Sequence, residues 1–484
     1  MAHRSLLVFA SVAIVATSKT VRSPTPPLAK IKESAEGLIA LGLDKVGYNF
    51  VTVECGWNAL ERGTEAAGRL QWNATLFPSG GNALVDFIHN LRLGFGLYSG
   101  AGYLQCGSTD LPASLGFEQM DAESFAEWGG DSLKYDNCYS TSTTTMVDSS
   151  SAESQSPARF QHMVTELQAV KRDMRYYVCH WGIGVDVGSW VSAIGNTWRI
   201  SNDIYNAWRS IWRITNQAVP HYRHTSPGHF PDLDMRQEIP SPNLELLLTF
   251  CMIIGLNALS ADEERFYFGM WAINSSPLVL GAALDPNRLS QTSLEIMSNK
   301  EVIALNQDAL AKQILGIANW KNDSQDVSLT LSTLGIAAAQ ARDVWAAEDI
   351  GEVNIVPAAP LTSERYYDAA QASLSGLARK IRCPDGTCLP TGPWYEFDGH
   401  DFINYDYVFT TAWGLGDNIR NATIAVNDQR AVRWAFPLSG GNWNESGRLI
   451  VECDGLKKGS GNVVIFTGFG NSSAPDLVGF ELLA

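Results

Sequence analysis

The sequence is short of the features that mark several large classes of protein. It holds no dense Lys/Arg run and carries a formal net charge of −16, which argues against nucleic acid as a partner. It has no HExxH motif and no CxxC…CxxC pairing, so neither a metal nor a cofactor is expected. No GxGxxG follows an early strand, which removes the dinucleotide-binding form of a doubly wound sheet. No internal repeat is found. The apolar stretch at 244–260 is too short for a membrane span and holds Glu245 and Asn257, so no membrane partner is expected.

What is present is a long, apolar-rich chain. Its 484 residues are 45% hydrophobic and 18% charged, enough for a large core in two or three domains. Fifteen tryptophans would suit the flat apolar faces of sugars, although a Trp-rich core gives the same count. The N-terminus sets His3 and Arg4 before an apolar run from Leu6 to Ala16. That layout predicts a secretory signal peptide over 1–18; the alternative is a buried N-terminal helix or strand. Six Asn-x-Ser/Thr sequons, at Asn73, Asn274, Asn322, Asn421, Asn444 and Asn471, agree with a secreted, extracellular glycoprotein. Eight cysteines would then meet an oxidising compartment, and the "CPDGTC" turn from Cys383 to Cys388 could close a small disulfide.

From about residue 29 to 310, helical and strand-like patterns alternate. "AKIKESAEGLIALGL" places Ile31, Ala35, Leu38 and Ile39 on one helical stripe. "YNFVTVE", "GFGLYS", "DSLKYD", "RYYVCHW" and "TWRISND" read as strands, with "NALVDFIHNLRL", "DAESFAEWGG" and "SPARFQHMVTELQAV" as helices between them. Asp121 is expected to cap the second of these. Such repeats imply a parallel sheet, best closed as a (β/α)8 TIM barrel over 24–312, with an open doubly wound sheet as runner-up. "STSTTTMVDSSSAESQS" (140–156) reads as a surface loop. Beyond 313, "DVSLTLST", "NATIAVND", "GRLIVECDG" and "GNVVIFTGFG" predict a C-terminal antiparallel β-sandwich domain over 313–484.

Barrel chemistry sits at the C-terminal strand ends, and polar residues gather there. Glu54 closes one strand, with Cys55 and Trp57 just after it. Lys134 and Asp136 share a face of the next but one, since side chains alternate along a strand. Cys179 and Trp181 end another. Arg199, Ser201 and Asp203 fall at i, i+2 and i+4, and Asp232 and Asp234 again alternate by two. Paired carboxylates with neighbouring cations are what glycoside hydrolysis requires. An Asp at a strand end also forms Asx turns or caps helices, and Lys134 and Arg199 also suit buried ion pairs.

The ordered series "YSGAGYLQC", "LPASLG", "FAEWGGDSLKYDNC", "WRISNDI", "PDLDM", "FGMWAINSSPL" and "ALNQD" resembles family 27 glycoside hydrolases, the α-galactosidases or melibiases. The look is that of secreted fungal members, and "ARDVW" carries it into the C-terminal domain. The resemblance implies a barrel followed by an antiparallel domain, and a retaining hydrolase of terminal α-D-galactose in oligosaccharides and polysaccharides. It implies Asp136 as nucleophile and Asp203 as acid/base. It implies Glu54, Cys55, Trp57, Lys134, Cys179, Trp181, Arg199 and Asp234 around the sugar. It also implies a disulfide between Cys106 and Cys138.

Three departures from the family pattern stand out. "TPPL" (25–28) runs straight into a helix, so the first barrel strand is expected to be missing, and the apolar leader is a candidate to fill the vacancy. The stretch 244–260 is longer than the family's loop. Glu54 stands where the family has Asp, which displaces a carboxylate by about one bond length. An impaired or inactive galactose-binding relative is therefore the competing reading, with an α-N-acetylgalactosaminidase or β-L-arabinopyranosidase as variants of the same chemistry.

Overall fold

The computed structural model describes residues 10–15, most of 27–308 apart from short gaps and the stretch 235–253, and separate segments between 338 and 481. Eight strands form one parallel sheet. In chain order they are β1 (Ala10–Val15), β2 (Tyr48–Glu54), β3 (Gly94–Gly100), β4 (Ser132–Asp136), β5 (Arg175–Cys179), β6 (Thr197–Arg199), β7 (Phe230–Asp232) and β8 (Leu278–Leu280). The hydrogen-bonded order is β7-β6-β5-β4-β3-β2-β1-β8. Sequential strands are neighbours and the last returns to the first, which fits a (β/α)8 barrel. Between β7 and β8 side chains make the link. Leu233 N–H donates to Ser276 Oγ at 3.0 Å, and Trp271 Nε1 donates to the Asp234 carbonyl at 3.3 Å.

Helices lie between the strands. α1 (Pro27–Ala40) precedes β2, α2 (Gly80–Asn90) precedes β3, and α3 (Glu118–Glu127) precedes β4. The apolar stripe of α1 does what its spacing predicts: Ile31, Ala35 and Leu38 are fully buried. Leu84, Val85 and Ile88 do the same for α2. α4 (Ala152–Gln155) and α5 (Ala158–Ala169) precede β5, α6 (Gly188–Val191) precedes β6, and α7 (Trp208–Ala218) precedes β7. α8 (Ala261–Ile273) enters β8 from a reciprocal cap. Ser260 Oγ accepts the Glu263 N–H at 3.3 Å, and the Glu263 carboxylate accepts the Ser260 N–H at 2.7 Å. Such a cap contributes about 1 kcal/mol. α9 (Gln291–Met297) and α10 (Lys300–Asn306) follow β8. Helices on the outside and neighbouring strands on either side leave β4 buried along its whole length.

Several expectations need correction. The first strand is present in the structure: Ala10–Val15 pairs with Tyr48–Glu54 on one side and Leu278–Leu280 on the other, both parallel. The vacancy is filled by the apolar leader, the candidate that the sequence offered for it. Asp121 does not cap α3. The helix starts at Glu118, and Asp121 sits inside its first turn, buried in an ion pair with Arg62 at 2.8 Å. β6 ends at Arg199, so Ser201 and Asp203 lie in the loop beyond the strand. The 140–156 segment is not wholly surface, because Ser154 in α4 is buried and bonded to Asn137.

In the C-terminal region, Ala338–Asp343 pairs antiparallel with Glu348–Asn354. Arg420–Val426 pairs antiparallel with both Val432–Phe436 and Val464–Gly468. The packing of these ladders into a sandwich lies outside the described residues, as do the "CPDGTC" turn and most of the stretch 244–260. Among the described residues, no helix is long and apolar enough to cross a membrane.

Candidate active site

Strand register brings the charged residues together. Asp136 pairs with Gly100 of β3 and Cys179 of β5, while Lys134 pairs with Tyr98 and Tyr177. Register partners in a parallel ladder share a face, so Lys134, Asp136 and Cys179 are presented together at the C-terminal ends. Arg199 continues the row on β6, donating to Cys179 Sγ at 3.8 Å.

Asp136 is held by three donors. Tyr98 Oη–H donates to Oδ2 at 2.9 Å, and Trp181 Nε1–H and the Asn137 N–H donate to Oδ1, each at 2.9 Å. Trp181 reaches it from a left-handed backbone, φ 67°, a conformation that costs a bulky residue on the order of 1–3 kcal/mol. Just beyond Asp136, Cys138 forms the disulfide with Cys106 that the resemblance implied, Cα–Cα 5.2 Å. The bridge ties the loop after β3 to the loop after β4. Gly102 lies so close beneath it that a Cβ there would stand 1.8 Å from the Cys138 carbonyl oxygen.

Lys134 is paired with Glu54 Oε1. Burial alone would lower the Lys134 ammonium, but Glu54 and its neighbours reverse that, so Lys134 stays charged. Glu54 Oε2 is buried with no hydrogen-bond partner among the described residues, and it can accept from a substrate hydroxyl. Burial pushes the Glu54 carboxyl up to about 7 against the pull of Lys134, with Asp136 and Asp203 adding to the rise. Arg199 sits between two carboxylates, its Nη2 lying 2.5 Å from Asp203 Oδ1 and 2.5 Å from Asp234 Oδ1. Burial opposes the charge on Arg199, and the carboxylates more than reverse that. Asp203 is the most open of the three, with 15% of its side chain exposed against 2% for Arg199 and 1% for Asp234.

The two thiols are neutral. Burial, then nearby carboxylates, push Cys55 and Cys179 well up. Cys179 lies between the two groups: Asp136 is its ladder partner, and Arg199, which donates to Cys179 Sγ, also pairs with Asp203.

One expected sugar contact turns into the core. Trp57 is fully buried, donates to the Tyr98 carbonyl at 2.9 Å, and packs against Trp72 and Trp128 at ring distances of 4.7 and 5.6 Å. It builds the core behind the site. Asp234 pairs with Arg199, and its second oxygen accepts the Ile204 N–H. Conversely, nothing in the local sequence singles out Tyr98 or Asn137. A Tyr in a buried strand is ordinary, and only register against Lys134 shows which carboxylate it reaches.

Five carboxylates, Glu54, Asp136, Asp203, Asp232 and Asp234, thus surround Lys134 and Arg199 at the strand ends. An acidic bowl of this kind favours positive charge developing on a bound molecule, as in glycosidic bond cleavage. Fold and site together define a barrel glycoside hydrolase. The pattern of the melibiase family, described as alpha galactosidase A, matches residues 28–308, and the chain belongs to that family.

Relatives agree. A probable alpha-galactosidase D of Aspergillus fumigatus is 31% identical over an alignment covering 96% of this chain and 92% of the relative. That alignment spans 623 positions against 484 residues here, so the relative carries internal segments this chain does not. The crystal structure of alpha-galactosidase I from Mortierella vinacea superposes with a TM-score of 0.56 at 27% identity, covering 73% of this chain and 94% of that one. The Saccharomyces cerevisiae alpha-galactosidase with raffinose gives 0.51 at 28% identity, covering 63% and 66%.

The buried carboxyl of Glu54 predicts a pH dependence of stability. Between its ordinary 4.5 and about 7, the folded state binds this proton more tightly than the unfolded chain does. Raising pH through that window therefore costs stability, up to about 3 kcal/mol. Urea melts at either end of the window should show the fall in the parent and a much smaller one in Glu54→Gln. An equal fall in both would contradict the assignment.

Proposed function

We propose that this chain is a retaining α-galactosidase that removes terminal non-reducing α-D-galactose from galacto-oligosaccharides and galactomannan. One observation carries the reading: Asp136, gripped by Tyr98 and Trp181, is the ladder partner of Cys179, and Arg199 bonds both Cys179 and Asp203. Asp136 Oδ attacks the anomeric carbon as the glycosidic C–O bond breaks, forming a galactosyl ester. Asp203 gives its proton to the departing oxygen, then takes one from the water that cleaves the ester. Retention requires the two carboxyl groups about 5–5.5 Å apart across the sugar. The buried, unpaired oxygen of Glu54 and the Lys134 ammonium suit the sugar hydroxyls, and the surplus of carboxylates stabilises the oxocarbenium-like transition state. The raffinose seen with the yeast relative supports a galactoside substrate.

Asp136→Asn keeps the shape and removes the nucleophile. Turnover of an aryl α-galactoside should fall roughly 10³-fold or more with the melting midpoint close to the parent's. A folded variant that releases galactose at the parent rate would refute the role.

We also propose that the protein is exported, on the strength of its apolar leader, its sequons and the Cys106–Cys138 bridge. Because the leader supplies β1 in the structure, the exported active protein should retain residues 10–15. N-terminal sequencing tests both points. A fully active product starting beyond Val15 would contradict the strand, and a chain confined to the cell would contradict export.

A further inference from the structure

Asp234 enters the reaction above only through its charge, as one carboxylate of the bowl. It follows β7 with a positive φ of 108°, a conformation that a non-glycine residue holds only when its surroundings demand it. Its N–H donates to Asp232 Oδ1 at 2.9 Å, which folds the chain back. One carboxylate oxygen takes Arg199 Nη2 at 2.5 Å and the other takes the Ile204 N–H. Ile204 directly follows Asp203, and Arg199 Nη2 also lies 2.5 Å from Asp203. Asp234 therefore grips both the backbone behind Asp203 and the cation in front of it.

A general acid needs a proton to give, and a cation held wholly against it opposes protonation. We propose that Asp234 is a positioning residue for Asp203: it divides the charge of Arg199 and fixes the Ile204 backbone, so that Asp203 can carry the proton destined for the leaving oxygen. This rests on Asp203 being the acid/base of the proposed reaction. The other charged or titratable groups facing this pair come from each neighbouring strand. Asp232 lies on β7, Cys179 on β5, Lys134 and Asp136 on β4, and Glu54 on β2. Glu54 is the one that could imitate Asp203 in a pH profile.

The test is the pH profile of kcat/KM on two substrates: melibiose, whose leaving group needs a proton, and 2,4-dinitrophenyl α-galactoside, whose leaving group does not. In Asp234→Asn the amide oxygen can still accept from Ile204, but a larger share of the charge of Arg199 falls on Asp203. The alkaline limb for melibiose should move down by about one pH unit, while the pH profile of the activated substrate keeps its shape, whatever its height. The double variant Arg199→Gln with Asp234→Asn removes a buried cation and a buried anion together, which a fold tolerates better than losing one alone. There the limb should move above the parent position.

A role in packing alone would move neither limb. Folded variants whose melibiose limbs both stay at the parent position would overturn the proposal. Asp203→Asn separates this failure from that of the underlying reaction. If the alkaline limb vanishes and the activated substrate still turns over, Asp203 is the acid/base. If the limb persists, it belongs to Glu54 and the acid/base assignment itself falls.

Discussion

Charges buried at one end of the barrel have to neutralise one another, and much of the site's arrangement follows from that constraint. An unpaired ion away from water costs several kcal/mol, so a buried cation keeps its carboxylates close. Lys134 answers Glu54, and Arg199 answers Asp203 and Asp234. Asp136 is gripped by neutral donors instead: a phenol, an indole and a backbone N–H. That difference suits a nucleophile, which must be oriented without being capped by a cation that the sugar would have to displace. Carboxylates outnumber cations in the bowl, which suits a reaction whose transition state is positive.

The strand period made part of this site legible. Two-residue alternation puts Lys134 and Asp136 on one face, and the structure agrees. The apolar stripe of α1 was equally readable, because burial follows spacing on a helix. What spacing cannot convey is register between strands and the path of a loop. Arg199 and Asp203 look like one strand face, yet the strand stops at Arg199 and the two meet through the loop. Trp57 follows Glu54 closely in sequence, but its indole turns to the aromatic cluster with Trp72 and Trp128. Tyr98 shows the reverse case, since nothing in its local sequence separates it from other buried strand tyrosines.

The first strand illustrates an ambiguity of composition. A signal-peptide core and a strand buried on both faces both require a short unbroken apolar run. The family match begins at residue 28, while the strand that completes the sheet comes from 10–15. A parallel sheet with β2 and β8 unjoined would leave two open edges; the N-terminal run joins them. The chain also lacks internal segments that its curated relative holds. An apolar segment from outside the matched region thus takes a position that the barrel requires.

The central claim is that Asp136 becomes covalently bonded to galactose. Incubation with a 2-fluorinated galactosyl substrate that slows ester cleavage, followed by peptide mass analysis, addresses it directly. The account predicts one galactosyl adduct, on Asp136 in the peptide that carries LKYDNC. Inactivation with the adduct on Asp203 or Glu54, or steady turnover with no adduct formed, would contradict it.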